Sequence, residues 1–396
     1  MRMLVTSMAV LLALAFGLVE RASAGPALLF DAQSGAVLYA EDVDQAWHPA
    51  SLTKLMTAYL TFKALKEGKL TLDQELTCDE SAASMAPSKL GLKVGQKITV
   101  DLALKALVVK SANDMAVLLS EAIGGSEQGF AEMMNAEALR LGMKQTHYVN
   151  ASGLPQDQQV TSARDLATLT QAIIRDYPDQ AYLFSLASVR IGKNDVGTHN
   201  TLLKTYDGAD GMKTGFICDS GYNIVASATR DGHRLVAVVL GESSSASRNV
   251  RATAMLDFGF QNYFWKTLFS NTTVQTVEGA QTDTATPVSL RDSVTSCVMK
   301  PAKRIKRKGA RTAKPAPAAA PSTDEDPGTT ASVGDTTAGT DATAGTTTST
   351  TATTSNPTSA SPTKKVVIKK KPKPTATTDA TAGTTDSAPA PATSTP

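Results

Sequence analysis

The stretch that decides the fold is Gly211-Met212-Lys213-Thr214-Gly215-Phe216-Ile217, a short polar run with apolar residues on both sides. Apolar flanks of this kind are typical of a buried strand. Such a strand would present the cation of Lys213, the hydroxyl of Thr214 and the bare backbone of Gly215 along one edge. Because glycine has no side chain, a ligand can approach the main chain closely there. The combination suits a ligand that ends in a carboxylate.

A candidate nucleophile lies upstream, at the start of a predicted helix. Apolar residues recur there at the spacing of a buried helical stripe, namely Leu52, Leu55, Met56, Tyr59 and Leu60. Ser51 begins this helix and Lys54 follows three residues later, so the two polar groups share one face. A helix start places backbone N–H groups and the positive end of the helix dipole at the Ser51 hydroxyl. The alternative is a simple helix cap and a surface lysine, since Ser361 and Lys364 show the same spacing.

A third polar group lies between two predicted helices, over residues 98–109, which open with a short strand end, and residues 114–123. The joint reads Ser111-Ala112-Asn113, and Asn113 or Asp114 is predicted to cap the second helix. Serine and asparagine are common turn formers, so this joint indicates function only in combination with the other two motifs.

The remaining pattern predicts an antiparallel sheet with helices packed against it. Turn residues predict a first hairpin over residues 26–39, and the Asp231-Gly232 turn predicts a second one, with strands at 222–229 and 234–240. A closing helix is predicted over residues 246–258. Between the hairpins the periodicity is mainly helical.

The first 24 residues have the form of a secretory signal: Arg2, an apolar run to Val19, and then Ala22-Ser23-Ala24. The run is shorter than the roughly 20 apolar residues of a spanning helix. An uncleaved anchor is the alternative. The sequence therefore predicts an exported chain that begins at Gly25 and acts in the periplasm or at the cell envelope.

Three cysteines in an exported chain leave at least one unpaired. They allow three pairings, of which we favour Cys218 with Cys297, because Cys218 follows the Lys213 strand and a bridge would fix the segment around Cys297. Cys78 would then be the free thiol. Neither the cysteines nor the four scattered histidines have metal-ligand spacing, so we predict no metal and no cofactor.

The composition changes from about Gly279, where Pro, Ala, Thr, Ser and Gly dominate. Such a segment buries too little apolar surface to offset its ordering entropy. We therefore expect disorder from about Gly279, with a short extension over residues 263–300 and a disordered tail over residues 301–396. The tail region carries basic blocks at 300–314 and 364–373, which predict either a solvated spacer or a tether to an anionic envelope. The formal net charge of +2 gives no indication of nucleic-acid binding.

In their order and predicted contexts, the three motifs resemble those of the low-molecular-mass penicillin-binding proteins, the D-alanyl-D-alanine carboxypeptidases. The resemblance covers residues 26–260 and rests on Ala50-Ser51-Leu52-Thr53-Lys54-Leu55-Met56-Thr57, Ser111-Ala112-Asn113-Asp114, Gly211-Met212-Lys213-Thr214-Gly215 and Gly221-Tyr222-Asn223. Ala112 stands where related β-lactamases have Asp. The resemblance implies an α+β, β-lactamase-like fold with a five-stranded antiparallel sheet, helices on both faces and an all-helical lobe. Residues 25–262 would form the catalytic domain.

The resemblance also implies catalytic roles. Ser51 would be the acylated nucleophile and Lys54 its base, which requires a neutral amine whose pKa is lowered by burial or by nearby positive charge. Lys213 could supply that charge. Ser111 would pass the proton to the departing D-alanine. The backbone N–H groups of Ser51 and Phe216 would bind the oxyanion.

The substrate-binding roles follow in the same way. Asn113 would hold the peptide amide of the substrate, and Lys213 and Thr214 would bind the terminal carboxylate. Arg248 would assist them, although Arg251 lies nearby in the sequence. Gly215, which has no side chain, would let the substrate approach the backbone of the strand closely.

The implied function is removal of the terminal D-alanine from peptidoglycan stem pentapeptides, in cell wall biogenesis and cell shape, with covalent inhibition by penicillin. A DD-endopeptidase would use the same residues. A class A β-lactamase needs a loop Glu, and the sequence has none between Glu137 and Glu242. A non-catalytic peptidoglycan-binding protein would not need Ser51 and Lys54. The polar residues after Phe264 predict neither the small β-domain nor the terminal amphipathic helix of many relatives.

Overall fold

The structure, a computed structural model, describes residues 25–269, 271–279, 286–294 and 296–298. The predicted signal (1–24) and the predicted tail (301–396) lie outside the described residues. No helix in the described part of the chain combines the length and apolarity that a membrane crossing requires.

The strands match the predicted order, with additional short ones in the middle of the chain. They are β1 (Ala27–Asp31), β2 (Val37–Glu41), β3 (Glu75–Thr77), β4 (Lys97–Thr99), β5 (Ser188–Ile191), β6 (Asn194–Gly197), β7 (Ala209–Ile217), β8 (Gly221–Arg230) and β9 (His233–Glu242). Five of them form an antiparallel sheet in the order β2-β1-β9-β8-β7. The pairs β3–β4 and β5–β6, which the sequence did not predict as hairpins, form two small separate ribbons.

Helices occupy most of the residues between the two halves of the sheet. They are α1 (Lys54–Lys66), α2 (Glu80–Ser84), α3 (Val100–Val109), α4 (Asn113–Gly124), α5 (Glu127–Leu141), α6 (Ala163–Asp176), α7 (Pro178–Ala181), α8 (Leu202–Thr205) and α9 (Ser245–Phe269). Helices α2 to α5 form the predicted helical lobe. The predicted closing helix over residues 246–258 is too short, because α9 continues to Phe269 with several exposed apolar side chains in its last turns.

Both faces of the sheet are covered, as the alternation in β9 illustrates. Val236, Val238 and Leu240 belong to the large core shared with α1 and α6, whereas Leu235, Ala237 and Val239 belong to the smaller core under α9. All six of these side chains are fully buried. Burial of one such Val or Leu side chain is worth about 1.5–3 kcal/mol. The five-stranded antiparallel sheet with helices on both faces is confirmed.

The predicted cap of α4 is wrong. Neither Asn113 nor Asp114 occupies the N-cap position, which belongs to Ala112 and has no side-chain cap. The Asp114 carboxylate instead accepts hydrogen bonds from the backbone N–H groups of Leu90 and Gly91, at 3.1 and 2.8 Å. Tertiary contacts therefore use the polar groups that the local sequence pattern assigned to helix capping.

The edge strand β7 packs against the turn that precedes α1. Residues Ala50–Thr53 form a 3₁₀ turn, and β7 lies so close to it that a Cβ on Gly215 would stand 2.9 Å from the Pro49 carbonyl oxygen and 3.2 Å from the Ser51 nitrogen. Glycine is thus required here by the protein's own backbone. The contact brings Ser51 beside the Lys213-Thr214-Gly215 strand.

The contacts between the C-terminal extension and the domain continue further along the chain than the composition predicted. Residues 286–294 and 296–298, which we call the strap, cross the end of β7. Val294 is fully buried, and the Leu290 N–H donates to the Asp219 carbonyl at 2.9 Å. The disulfide between Cys218 and Cys297 is present, and Cys78 is free and buried. The predicted start of disorder near Gly279 is therefore wrong for the strap, while the predicted cysteine pairing is confirmed.

Candidate active site

Ser51 and Lys54 meet as predicted from their spacing. The Lys54 Nζ donates to the Ser51 Oγ at 3.1 Å. Lys54 is 1% exposed, in spite of its charge-bearing side chain, whereas Ser51 keeps partial access to solvent. A hydroxyl that solvent can reach therefore stands over an amine that is shielded from water.

Two further acceptors hold the Lys54 amine. The Nζ donates to Asn113 Oδ1 at 2.7 Å and to the backbone carbonyl of Ser152 at 2.5 Å. An amide oxygen and a backbone carbonyl can only accept, so they engage two N–H groups whichever protonation state lysine has. In neutral lysine these bonds use both hydrogens, and the remaining lone pair faces Ser51.

The surroundings of Lys54 favour that neutral state. Burial lowers the pKa of the Lys54 amine well below its usual range, and the positive charge of Lys213 lowers it further. The carboxylates of Asp114 and Glu127 oppose this shift but do not overcome it. The effect of Lys213 on Lys54 that the sequence suggested is thus present.

A second lysine–serine pair lies across the site. The Lys213 Nζ donates to the Ser111 Oγ at 2.8 Å and to the Thr214 carbonyl at 3.0 Å, and both Lys213 and Ser111 are buried. Ser111 has a φ of 59°, a left-handed conformation that costs a non-glycine residue of order 1–3 kcal/mol. The joint between α3 and α4 is therefore held in a strained shape that directs the hydroxyl to Lys213.

Positive charge is concentrated around Lys213. Burial and the neighbouring Arg248 lower the pKa of Lys213 to about 7. Burial also lowers the pKa of Arg248, to about 10. Buried cations without carboxylate partners are costly, and a bound anion would relieve that cost.

The structure distinguishes Arg248 from Arg251. Arg248 lies in the first turn of α9, is 5% exposed and lines the cavity beside Ser51. Arg251, one turn later, forms ion pairs with Glu41 at 2.9 Å and with Glu242 at 3.3 Å. Only Arg248 is therefore available to a ligand in the cavity.

The predicted site residues converge on one cavity of about 400 Å³. Its walls include Ser51, Ser111, Asn113, Thr214, Gly215, Phe216 and Arg248. Lys54 and Lys213 lie beneath this surface, bonded to Ser51 and Ser111. Among the cavity-lining residues that the structure describes, none is a carboxylate. The cavity is thus suited to an anionic ligand.

The cavity also contains residues that the sequence did not identify. They are Pro87, Ser88, Ser152, Gly153, Leu154, His199, Thr201, Ile217, Tyr222 and Ser245. Burial, followed by the charges of Lys213 and other nearby cations, lowers the pKa of His199 to about 4. Ser152 contributes through its backbone carbonyl, which no residue-type pattern reveals. Two of them had a signal in the sequence: Tyr222 lies in the Gly221-Tyr222-Asn223 motif, and Ile217 ends the predicted strand that carries Lys213.

A buried amide fixes the turn that carries Ser51. The Asn223 side chain donates to the carbonyl of His48 at 3.1 Å and accepts from the Gly241 N–H at 3.0 Å. Gly153, with a φ of +80°, packs against the same turn, where a Cβ would overlap the Ala50 carbonyl. The turn that carries Ser51 is therefore positioned from β8, β9 and the loop that contains Gly153.

Comparison with known proteins identifies the family. The family model described as D-alanyl-D-alanine carboxypeptidase, peptidase family S11, matches residues 18–244. That range is more than half of the chain, and it contains every predicted site residue except Arg248. The chain belongs to the D-alanyl-D-alanine carboxypeptidase family.

Characterised relatives agree with this assignment. The chain is 35% identical to D-alanyl-D-alanine carboxypeptidase DacF of Bacillus subtilis over 258 residues, which are 64% of this chain and 66% of DacF. It is 38% identical to DacA of Haemophilus influenzae over 242 residues, which are 60% of this chain and 61% of DacA. In both cases the match spans slightly less than two-thirds of the relative's length.

Solved structures show the same fold. Penicillin-binding protein 5 from Haemophilus influenzae superposes with a TM-score of 0.59 at 37% identity, over 60% of this chain and 71% of that chain. Penicillin-binding protein D2 from Listeria monocytogenes, in an ampicillin-bound form, superposes with a TM-score of 0.56 at 30% identity, over 61% of this chain and 99% of that chain. The predicted β-lactamase-like, DD-peptidase fold is confirmed.

Proposed function

We propose that the protein is an exported serine-type D-alanyl-D-alanine carboxypeptidase that removes the terminal D-alanine from peptidoglycan stem pentapeptides. The observation that carries this proposal is the Lys54 amine, buried, depressed in pKa and 3.1 Å from the Ser51 hydroxyl. An ordinary serine hydroxyl is too weak a nucleophile, and this arrangement supplies the base that it needs. The family membership and the named carboxypeptidase relatives support the same reaction.

In the acylation step, the Ser51 Oγ attacks the carbonyl carbon of the penultimate D-alanine while Lys54 takes the hydroxyl proton. The tetrahedral oxyanion that forms would be stabilised by the backbone N–H groups of Ser51 and Phe216, which lie on the adjoining turn and strand. Ser111, bonded to Lys213, would pass the proton taken up by Lys54 on to the departing D-alanine nitrogen, so that Lys54 is neutral again when this step ends. The C–N bond breaks, free D-alanine leaves, and the shortened peptide remains as an ester on Ser51.

In the second step, water adds to this ester with Lys54 again as base. The C–O bond to Ser51 breaks, the proton returns to the serine oxygen, and the tetrapeptide leaves with a new terminal carboxylate. No carboxylate lines the described cavity to activate this water, in contrast to a class A β-lactamase. We therefore expect a β-lactam to form a long-lived acyl-enzyme, and the β-lactam-bound Listeria structure supports such binding.

Substrate recognition in this proposal depends on the positive end of the cavity. Lys213, Thr214 and Arg248 would bind the carboxylate of the terminal D-alanine, because they concentrate positive charge next to an accessible hydroxyl. Asn113 would hold the peptide amide. Its Oδ1 accepts from Lys54 and its Nδ2 donates to the Ala86 carbonyl, and each group retains one further hydrogen-bonding position.

The direct test is incubation of the purified protein with a soluble pentapeptide and, separately, with a cross-linked peptide dimer. Release of D-alanine from the pentapeptide, with the dimer left intact, is the expected result. Cleavage of the dimer as the faster reaction would favour the DD-endopeptidase alternative. Binding of both peptides without any cleavage would favour a non-catalytic peptidoglycan-binding protein.

We also propose that the protein acts outside the cytoplasm in cell wall biogenesis and cell shape, and that its basic tail region attaches it reversibly to an anionic envelope. Each Lys or Arg near such a surface contributes roughly 1 kcal/mol, and the attraction decays within a Debye length. A chain that ends at Lys300 should retain its kcat/KM on a soluble pentapeptide and lose salt-sensitive binding to envelope fractions. Loss of peptide turnover would instead make the tail part of the catalytic fold.

A further inference from the structure

A second cavity adjoins the active site at the end of β7. It has a volume of about 450 Å³ and is lined by His48, Pro155, Gln156, Asp157, Ile217, Asp219, Thr286, Pro287, Ser289 and Arg291. Ile217 lines both cavities, and the loop that continues from Leu154 to Pro155 passes from one to the other. The outer wall consists of strap residues, so this cavity depends on the C-terminal extension.

The strap is held in place by contacts with the turn after β7. Arg291 pairs with Asp219 at 2.6 Å, and the Ser289 hydroxyl donates to the same carboxylate at 2.7 Å. The disulfide between Cys218 and Cys297 anchors the end of the strap. The wall of the second cavity is therefore attached at several points to the strand that forms the active site.

A substrate bound as proposed above would run toward this cavity. Its terminal carboxylate lies at Lys213 and Thr214, and its scissile carbonyl lies at Ser51, which adjoins Gly215. The rest of the peptide must then continue along β7 past Ile217. An extended residue advances about 3.4 Å, so the residue that precedes the two D-alanines reaches the level of Ile217, roughly 7 Å beyond Gly215.

The charges of the second cavity indicate what kind of side chain it would accept. Asp219 is paired with Arg291, but Asp157 has no ion-pair partner within the described ranges and is exposed. Two carboxylates and one guanidinium give the cavity a net charge of −1. The active-site cavity beside it is, by contrast, positive. The two neighbouring cavities thus favour opposite charges on the same peptide.

We propose that the second cavity is a subsite for the side chain of the residue that precedes the two terminal D-alanines, and that it selects a side chain ending in an ammonium group, bound at Asp157. This inference rests on the proposed carboxypeptidase function for the direction of the peptide. It makes the strap a part of substrate recognition.

The test compares two N-acetylated tripeptides of sequence L-lysyl-D-alanyl-D-alanine, one with a free ε-ammonium group and one acetylated at that nitrogen. Their Kd values are measured by calorimetry on Ser51→Ala protein, which binds without turnover. We expect the free ammonium peptide to bind roughly threefold to fivefold more tightly, the upper part of the range for an exposed ion pair. This ratio should decrease with added salt.

Variants locate the effect. Adding Asp157→Asn should bring the ratio of the two Kd values to about one, while Asp179→Asn, an exposed carboxylate that does not line the cavity, should leave it unchanged. Replacing both Cys218 and Cys297 by serine should reduce the ratio by releasing the strap. Labelling of Ser51 by fluorescent penicillin, in the same variants without Ser51→Ala, should be unaffected and shows that the active site remains folded.

Equal Kd values for the two peptides, or a ratio that survives Asp157→Asn, would overturn the subsite. A ratio that survives loss of the disulfide would remove the strap from it. Because the binding measurement needs no catalysis, these outcomes are separate from the fate of the proposed function. Failure of the unaltered protein to release D-alanine from either peptide would count against the carboxypeptidase activity alone.

Discussion

The centre of the sheet and the corner where the 3₁₀ turn meets β7 bury their residues in opposite ways. In the sheet, β8 and β9 bury apolar side chains on both faces while the ladder pairs the backbone. In the corner, the buried polar side chains are those of Lys54, Lys213, Ser111, Thr214 and Asn113. The backbone there includes two residues with positive φ values, Ala50 and Ser111. The corner is costly to fold, and the sheet offsets that cost.

This difference shows where stability and reactivity reside. A lysine with its usual pKa is a poor base near neutral pH, and burial that destabilises its charged form makes it a better one. The same burial contributes nothing favourable to folding. We therefore expect changes in the corner to alter the reaction far more than the stability, and changes in the sheet to do the reverse.

The largest effect is expected for Lys54→Arg. Guanidinium cannot be deprotonated in a protein, so it cannot take the Ser51 proton. We predict a decrease in kcat/KM of about 10²–10⁴-fold, the usual contribution of a general base. Steady-state kinetics on a soluble pentapeptide measures this decrease. Activity within threefold of the unaltered protein would show that Lys54 is not the base.

A comparably local change can be made in the substrate. Amidating the terminal D-alanine removes the charge that Lys213 and Arg248 are proposed to bind. Loss of a buried ionic partner costs about 2–5 kcal/mol. We expect the activation free energy that corresponds to kcat/KM to rise by that amount for the amide. Equal turnover of acid and amide would remove this role from both cations and favour the endopeptidase.

The matched change in the sheet is Leu235→Ala, at a fully buried position under α9. It should lower the free energy of unfolding by about 2–5 kcal/mol, because it removes apolar contacts and leaves a cavity. Denaturant unfolding measures this loss, and kcat per folded molecule should stay unchanged. A variant that kept its stability but lost its rate would contradict the division between sheet and corner.

The pH dependence of kcat/KM should show the ionisation of Lys54 and of Lys213, with smaller changes in kcat/KM than those predicted above. As pH falls, Lys54 gains a proton and kcat/KM declines. As pH rises through about 7, the free protein loses the charge on Lys213 and kcat/KM declines again. A bound carboxylate stabilises charged Lys213, so the alkaline limb of kcat should lie at higher pH than that of kcat/KM.

Arg248→Gln sharpens this test. Arg248 lowers the pKa of Lys213, so its replacement should raise that pKa and move the alkaline limb of kcat/KM upward. The activity will also fall, because Arg248 lines the cavity, but the position of the limb is a separate readout. If the alkaline limb of kcat/KM does not move, that limb reports the ionisation of a group other than Lys213.

The sequence was most informative where function depends on local spacing. Ser51 and Lys54 are three residues apart, and Lys213, Thr214 and Gly215 are consecutive, so a helix start and a strand fix their relative positions. The pattern of turns and apolar residues also predicted the five strands of the sheet in their order along the chain, although not their order within the sheet. These features need no knowledge of the rest of the chain.

Tertiary contacts explain what the sequence did not predict. Asn113 does not cap α4 because its side chain is bonded to Lys54, which is 59 residues away. The Ser152 carbonyl and His199 reach the site from loops whose composition is ordinary. The strap is polar by composition, and one buried valine, Val294, together with the disulfide at Cys297, fixes it to the domain.

The most direct measurement of the central claim is covalent labelling of Ser51. Fluorescent penicillin should label the unaltered protein stably, and mass spectrometry of the digested adduct should place the label on the peptide that contains Ser51. Ser51→Ala protein, with an unchanged unfolding transition, should remain unlabelled. A labelled Ser51→Ala protein, or an adduct on any other residue, would contradict the account.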